Sequence, residues 1–111
     1  MHILIIGGTR YMGRIAVQRL LERSDTVTVF SRGNTKPEWW SQVHHIAGNR
    51  SEYKDFRAKL KGKPFDAVID MQAYRKEDIE SALETFRGNI GRYVMISTGS
   101  VYLDSKLDFA T

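Results

Sequence analysis

A doubly wound α/β domain built on a parallel sheet is the fold class this sequence predicts. Three observations carry it. Short apolar runs alternate with amphipathic stretches along the whole chain, which is the rhythm of βαβ units. The first run, His2 to Ile6, is nearly all apolar, as a strand buried on both faces requires. That run ends in Gly7-Gly8 directly before a helical pattern. The expected strand order is 3-2-1-4-5, with ligands lying over the strand carboxyl ends where the order reverses.

Each element has its own reason. Met12 to Arg23 places Met12, Ile15, Ala16, Arg19 and Leu20 at helical spacing, so one face is expected to be buried. Ser24-Asp25 ends it. Thr26 to Phe30 is β-branched and aromatic, the composition of a strand. Ser31 to Trp40, with Gly33, Asn34 and Pro37, reads as a loop containing at most one helical turn. Val43 to Ala47 is a short third strand. Ser51 is placed to cap a helix through Leu60 that turns Tyr53, Phe56 and Leu60 to one side, and Gly62 and Pro64 close it. Asp66 to Asp70 is the fourth strand. Lys76 to Arg87 is a helix with Ile79, Ala82, Leu83 and Phe86 inward, stopped by Gly88. Arg92 to Ser97 is the fifth strand, and the residues from Gly99 onward show no pattern.

Composition bounds the function. The chain has 111 residues, 41% apolar and 27% charged, which suits one globular domain rather than a disordered tail. No run is long enough for a membrane-spanning helix, and MHILIIGGTR lacks the basic start and long apolar core of a secretory signal. Zero cysteines exclude a disulfide scaffold, a zinc–cysteine site and a cysteine nucleophile, and fit a reducing cytoplasm. The net charge of +4 comes from 17 basic and 13 acidic residues of interspersed sign. The densest basic stretch, Arg50 to Lys63, also holds Glu52 and Asp55, so it reads as a solvated helix face. This argues against nucleic acid as the main partner while leaving that reading open. His2, His44 and His45 have no carboxylate at metal spacing and read as structural or exposed, so no metal is expected. Trp39-Trp40 suits a cover for the sheet edge better than a platform for a base.

The most informative segment is Gly7-Gly8-Thr9-Arg10-Tyr11-Met12-Gly13, between a strand and a helix. That is the context a dinucleotide fingerprint requires. Gly7 would permit the tight turn, Gly13 would let helix and strand approach, and the helix N-terminus offers free N–H groups to a pyrophosphate. Arg10 stands where a common fingerprint has glycine, with its side chain either beside the phosphates or in solvent. The second strand ends Val29-Phe30-Ser31-Arg32-Gly33. An NAD-preferring site has a carboxylate there for the ribose 2′-OH. Here Ser31 can donate to a phosphate and Arg32 can pair with it, which favours NADP over NAD.

Together these segments resemble the short-chain dehydrogenase/reductase superfamily, in the extended or atypical branch that contains the NAD-dependent epimerase/dehydratase family. GGTRYMG is similar to the GGTRF-G variant of some members, including plastid RNA-binding ones, and Val27 to Gly33 is similar to their VTLFNRG. Phe65 to Tyr74 looks like the fourth strand and its cofactor-facing loop, and Arg92 to Tyr102 like the fifth strand with its Ser/Thr-rich end. The resemblance implies a Rossmann-like fold and a nicotinamide cofactor, NADP favoured and NAD possible. It implies that Gly7, Thr9, Arg10, Tyr11, Met12 and Gly13 line the pyrophosphate and that Ser31 and Arg32 meet the adenosine ribose and its phosphate. Gly48-Asn49-Arg50 stands where members often have Gly-Asp at the adenine; Asn49 can still bond an adenine amine, with Arg50 beside it. Met71, Gln72 and Ala73 would pass the ribose and pyrophosphate, and Ser97 and Thr98 would end the fifth strand, with Thr98 matching the catalytic Ser/Thr that polarises the substrate oxygen.

Complete members add a catalytic Tyr-x-x-x-Lys helix and a substrate-binding portion. The chain is therefore expected to be the N-terminal cofactor-binding part, truncated after the fifth strand and inactive alone, of an epimerase, dehydratase or reductase acting on a sugar-like or carbonyl substrate. Tyr102 and Lys106 have the Tyr-x-x-x-Lys spacing, but nothing predicts a helix there. A fifth strand left as a bare edge would favour a dimer or swapped assembly. The competing expectations are a non-catalytic RNA-binding or nucleotide-sensing member of the fold, and a nucleotide-free structural domain.

Overall fold

The computed structural model describes residues 1–7, 11–33, 36–73, 75–88, 90–97 and 100–103. The strands are β1 (His2–Ile6), β2 (Thr26–Ser31), β3 (His44–Ala47), β4 (Phe65–Asp70), β5 (Ile90–Ser97) and β6 (Ser100–Leu103), and the helices are α1 (Tyr11–Glu22), α2 (Tyr53–Leu60) and α3 (Lys76–Phe86). They form a single sheet in the order β3-β2-β1-β4-β5-β6. The first five strands are parallel in the expected order, and β6 runs antiparallel to β5.

The period-2 alternation of β1 explains why helices are needed on both faces. Leu4 and Ile6 face one way and join Phe30, Val68, Phe56 and Leu60 of α2, and Ala82 and Phe86 of α3. Ile3 and Ile5 face the other way and join Val27, Val29 and Val17 of α1. The β2–β3 crossover lacks a full helix. It has one 3-10 turn, Trp40–Gln42, and Trp39 fills the helix's place in the second core. Trp39 is 2% exposed, and its indole N–H donates to the Arg14 carbonyl at 3.1 Å. The Arg14–Glu38 ion pair ties the same loop to α1. The tryptophan pair is thus a cover over the sheet.

Three details differ from the sequence-based reading. Ile15, expected inward, is 57% exposed; the buried face of α1 runs through Gly13 and Val17, with Ala16, Leu20 and Leu21 half-buried. The α2 N-cap is Glu52, not Ser51, and has no side-chain cap bond. The β5 edge is not bare, because Val94 to Ser97 pair with β6. Strand β6 is then the outer strand on that side of the sheet. Tyr102 stands on β6 opposite Met95. It is therefore extended backbone, not the first residue of a Tyr-x-x-x-Lys helix; Lys106 lies outside the described residues.

Candidate functional site

The strand order reverses at β1, which has β2 on one side and β4 on the other. Ile6 stands opposite both Phe30 and Asp70. Past the strands, the backbone ladder continues for one residue on each side. The Gly7 N–H donates to the Phe30 carbonyl at 2.9 Å, and the Met71 N–H donates to the Ile6 carbonyl at 3.0 Å. These two bonds hold the turn after β1 and the loop after β4 side by side at the carboxyl ends of the strands.

Gly7 makes the turn out of β1 with φ of 102°, a conformation that L side chains rarely adopt. A Cβ there would also stand 3.1 Å from Gln72 Cγ and 3.5 Å from Met71 Cβ. Glycine therefore permits both the turn and the close pass of the β4 loop. Helix α1 begins at Tyr11, with Gly13 buried one turn in. Its first N–H groups lack intrahelical partners by construction. Of Tyr11 and Met12 only the backbone is described, while Thr9 and Arg10 lie outside the described residues.

At the end of β2 the two residues expected at the ribose part company. Ser31 is 7% exposed, and Arg32 is exposed. Among the described residues Arg32 has no ion-pair partner. Ser31 Oγ lies 3.1 Å from His45 Nε2 and accepts the Gly33 N–H at 3.3 Å. Gly33, at φ of 82°, closes this small turn, and a Cβ on it would meet His45 Cε1 at 3.1 Å.

The β3–α2 loop is shaped by Gly48, where a Cβ would fall 2.5 Å from Phe30 Cζ. Asn49 Oδ1 accepts the Ser51 N–H at 2.9 Å, which folds the loop back on itself. Arg50, expected near an adenine, has its guanidinium turned inward. It donates twice to Asp70 Oδ2 at 3.1 Å, once to Ser81 Oγ at 2.7 Å and once to the Asp78 carbonyl, and it lies 4.1 Å over the Phe56 ring. Asp70, 0% exposed, also accepts the Tyr93 hydroxyl at 2.6 Å. Its other oxygen takes the Gln72 N–H at 3.0 Å. Burial, followed by the negative charge of Asp70, pushes the Tyr93 phenol far above its ordinary range.

This buried network went unnoticed in the sequence, although one signal was present. Asp70 closes an otherwise apolar run, and a carboxylate there must find partners. It links the Arg50 loop to the Met71–Ala73 loop from below. Gly7, Gly13, Ser31, Gly33 and Met71–Ala73 gather at the carboxyl end of the sheet. Ser97 ends β5 with its side chain undescribed, and Thr98 lies outside the described residues. Among the described residues no cluster of His, Asp or Glu could hold a metal ion, and no helix is long and apolar enough to cross a membrane.

The model of the NAD dependent epimerase/dehydratase family matches residues 3–105. The chain is 29% identical over 118 aligned residues to the chloroplast stem-loop binding protein of 41 kDa b from Arabidopsis thaliana, covering 95% of this chain and 31% of that protein. Vestitone reductase from alfalfa shares the fold, with a TM-score of 0.65 at 16% identity over 88% of this chain and 36% of the reductase. So does a short-chain dehydrogenase/reductase superfamily protein from Agrobacterium tumefaciens with bound NAD, with a TM-score of 0.60 at 17% identity over 89% of this chain and 33% of that one. The chain thus spans about a third of the length of each.

Proposed function

The chain belongs to the NAD dependent epimerase/dehydratase family, and from that premise we propose that it forms the dinucleotide-binding part of an NADP-preferring epimerase, dehydratase or reductase. The observation that carries this is the Gly7 turn at the reversal point. It has a positive φ and no side chain, and α1 starts four residues further along the chain. Those features fit a pyrophosphate held by backbone N–H groups.

The adenosine end fits the 2′-phosphate form. Ser31 and Arg32 replace the carboxylate that would repel it, and Arg32 is free to close over it. Asn49 would meet the adenine edge. Arg50 supports that loop from below rather than reaching the ligand. Met71, Gln72 and Ala73 would flank the ribose and pyrophosphate opposite Gly7, with Thr9, Arg10, Tyr11 and Met12 on the other bank. When bound, the dinucleotide supplies a hydride acceptor or donor. Ser97 ends β5, and Thr98 would orient a substrate oxygen by hydrogen bonding. The tyrosine acid/base expected of the family, and the sugar-like or carbonyl substrate, belong to the whole protein.

Titration calorimetry with NADP⁺ and NAD⁺ tests this reading. Arg32→Ala should weaken NADP⁺ binding by at least about tenfold, the scale of one bond to a charged group, and leave NAD⁺ little changed. Equal affinities that Arg32→Ala leaves equal would overturn the NADP preference.

A second reading is favoured by one observation, the likeness to the stem-loop binding protein from Arabidopsis. On it, this chain would contact a structured RNA through the exposed Lys54, Arg57, Lys61 and Lys63 around α2. Binding would then fall steeply with salt, and Arg32→Ala would not change it.

A further inference from the structure

His45 lies on β3, one step diagonally across from Ser31 on β2, and Val29 is its register partner. Its Nε2 approaches two atoms of Ser31, the hydroxyl Oγ at 3.1 Å and the carbonyl oxygen at 3.2 Å. A carbonyl oxygen can only accept. Two bare lone pairs at that separation would repel, so Nε2 must carry the proton. The same N–H then serves Oγ. The Gly33 N–H also donates to Oγ, at 3.3 Å. Both acceptor positions of the hydroxyl are thereby filled from inside the fold, and its own proton is left to point elsewhere.

We propose that His45 is a specificity-positioning residue for the adenosine end, which commits the Ser31 hydroxyl to donate to a phosphate oxygen of the bound nucleotide. The inference rests on the dinucleotide reading given above. It goes beyond that reading by assigning a role to a residue that the sequence marks only as structural or exposed. Trp40 packs against the imidazole at 4.4 Å between ring centroids, its plane tilted by 50° to the ring. Gly33 gives the ring room, because a Cβ there would meet Cε1 at 3.1 Å. The consequence is selectivity. A phosphate monoester presents only acceptors to a committed donor and gains fully from it. A ribose 2′-OH carries a proton of its own, has no charge, and gains less.

Two measurements test this. Imidazole ¹⁵N NMR should show the neutral His45 ring protonated on Nε2; a neutral ring with its proton on Nδ1 would overturn the proposal. Separately, 2′,5′-ADP and 5′-ADP are titrated into the wild type, His45→Phe and His45→Gln. Phe keeps a ring beside Trp40 but cannot donate, and Gln restores an N–H. His45→Phe should lower the preference for 2′,5′-ADP about tenfold, the scale of one hydrogen bond to a charged group. His45→Gln should retain most of it, and 5′-ADP, which serves as the folding control, should bind all three alike. An unchanged preference in His45→Phe would overturn the role of His45 while leaving Ser31 and Arg32 standing. A wild type that prefers neither nucleotide would overturn the underlying reading, and this proposal with it.

Discussion

Replacing Asp70 by Asn should destabilise the chain more than any surface change of similar size. Asp70 is 0% exposed and Arg50 is 4% exposed. One carboxylate oxygen takes three donors, namely two from Arg50 at 3.1 Å each and the Tyr93 hydroxyl at 2.6 Å. The other takes the Gln72 N–H at 3.0 Å. In Asp70→Asn the amide has one oxygen and one NH₂ group. Either the Arg50 and Tyr93 donors or the Gln72 N–H must then face another donor, and the buried guanidinium loses its counter-charge. Removing one partner of a buried ion pair costs about 3–5 kcal/mol. Against a total of roughly 5–15 kcal/mol for a domain, that is a large fraction. Urea denaturation at pH 7, read at constant m-value, measures it. Arg50→Met in the Asp70→Asn background should recover part of the loss, because it removes the unpaired charge, and the double-mutant cycle isolates that coupling. A loss below about 1 kcal/mol in Asp70→Asn, of the size seen for an exposed ion pair, would refute the reasoning.

Two further outcomes follow from the same core. Gly48→Ala places a Cβ 2.5 Å from Phe30 Cζ and 2.7 Å from Cε2. The Phe30 ring is fully buried and packs edge-on against Phe56 at 5.3 Å, so it has no room to retreat; an overpacking loss of about 1–3 kcal/mol is expected in the same denaturation assay. The raised Tyr93 phenol gives an alkaline signature. The folded chain keeps this proton while the unfolded chain releases it near its ordinary value of about 10, so the stabilisation is present below that pH and is lost as pH rises above it. Stability of the wild type should fall more steeply above about pH 10 than that of Tyr93→Phe, as thermal melts across that range would show.

The parts of the fold that were legible in the sequence are those set by local pattern. The buried run of β1, the Gly7 turn and the apolar face of α3 each follow from period and turn chemistry. What escaped depends on partners distant in sequence. Ser100–Leu103 is four residues long and makes a strand only because β5 is there to pair with it. Ile15 fits the helical period of α1, but the buried stripe runs through Gly13 and Val17, a rotation that only the packing against β2 and Trp39 decides. At the proposed site, Ser31 and Arg32 stand out in the sequence because the absence of a carboxylate carries meaning there. Their different exposure is not legible there, and neither is His45, since its contact with Ser31 crosses from β3 to β2. Arg50 stands in the expected loop, but its destination is set by Asp70, 20 residues away in the chain.

The most direct test of the central claim is to map NADP⁺ binding on the ¹⁵N-labelled chain by backbone amide shifts. The account predicts perturbations at Gly7, Tyr11, Gly13, Ser31 to Gly33 and Met71 to Ala73, with His2, Asp25 and Phe65 at the opposite end of the sheet unmoved. Saturable shifts confined to Lys54, Arg57, Lys61 and Lys63, or no shifts at the Gly7 turn at saturating NADP⁺, would contradict it.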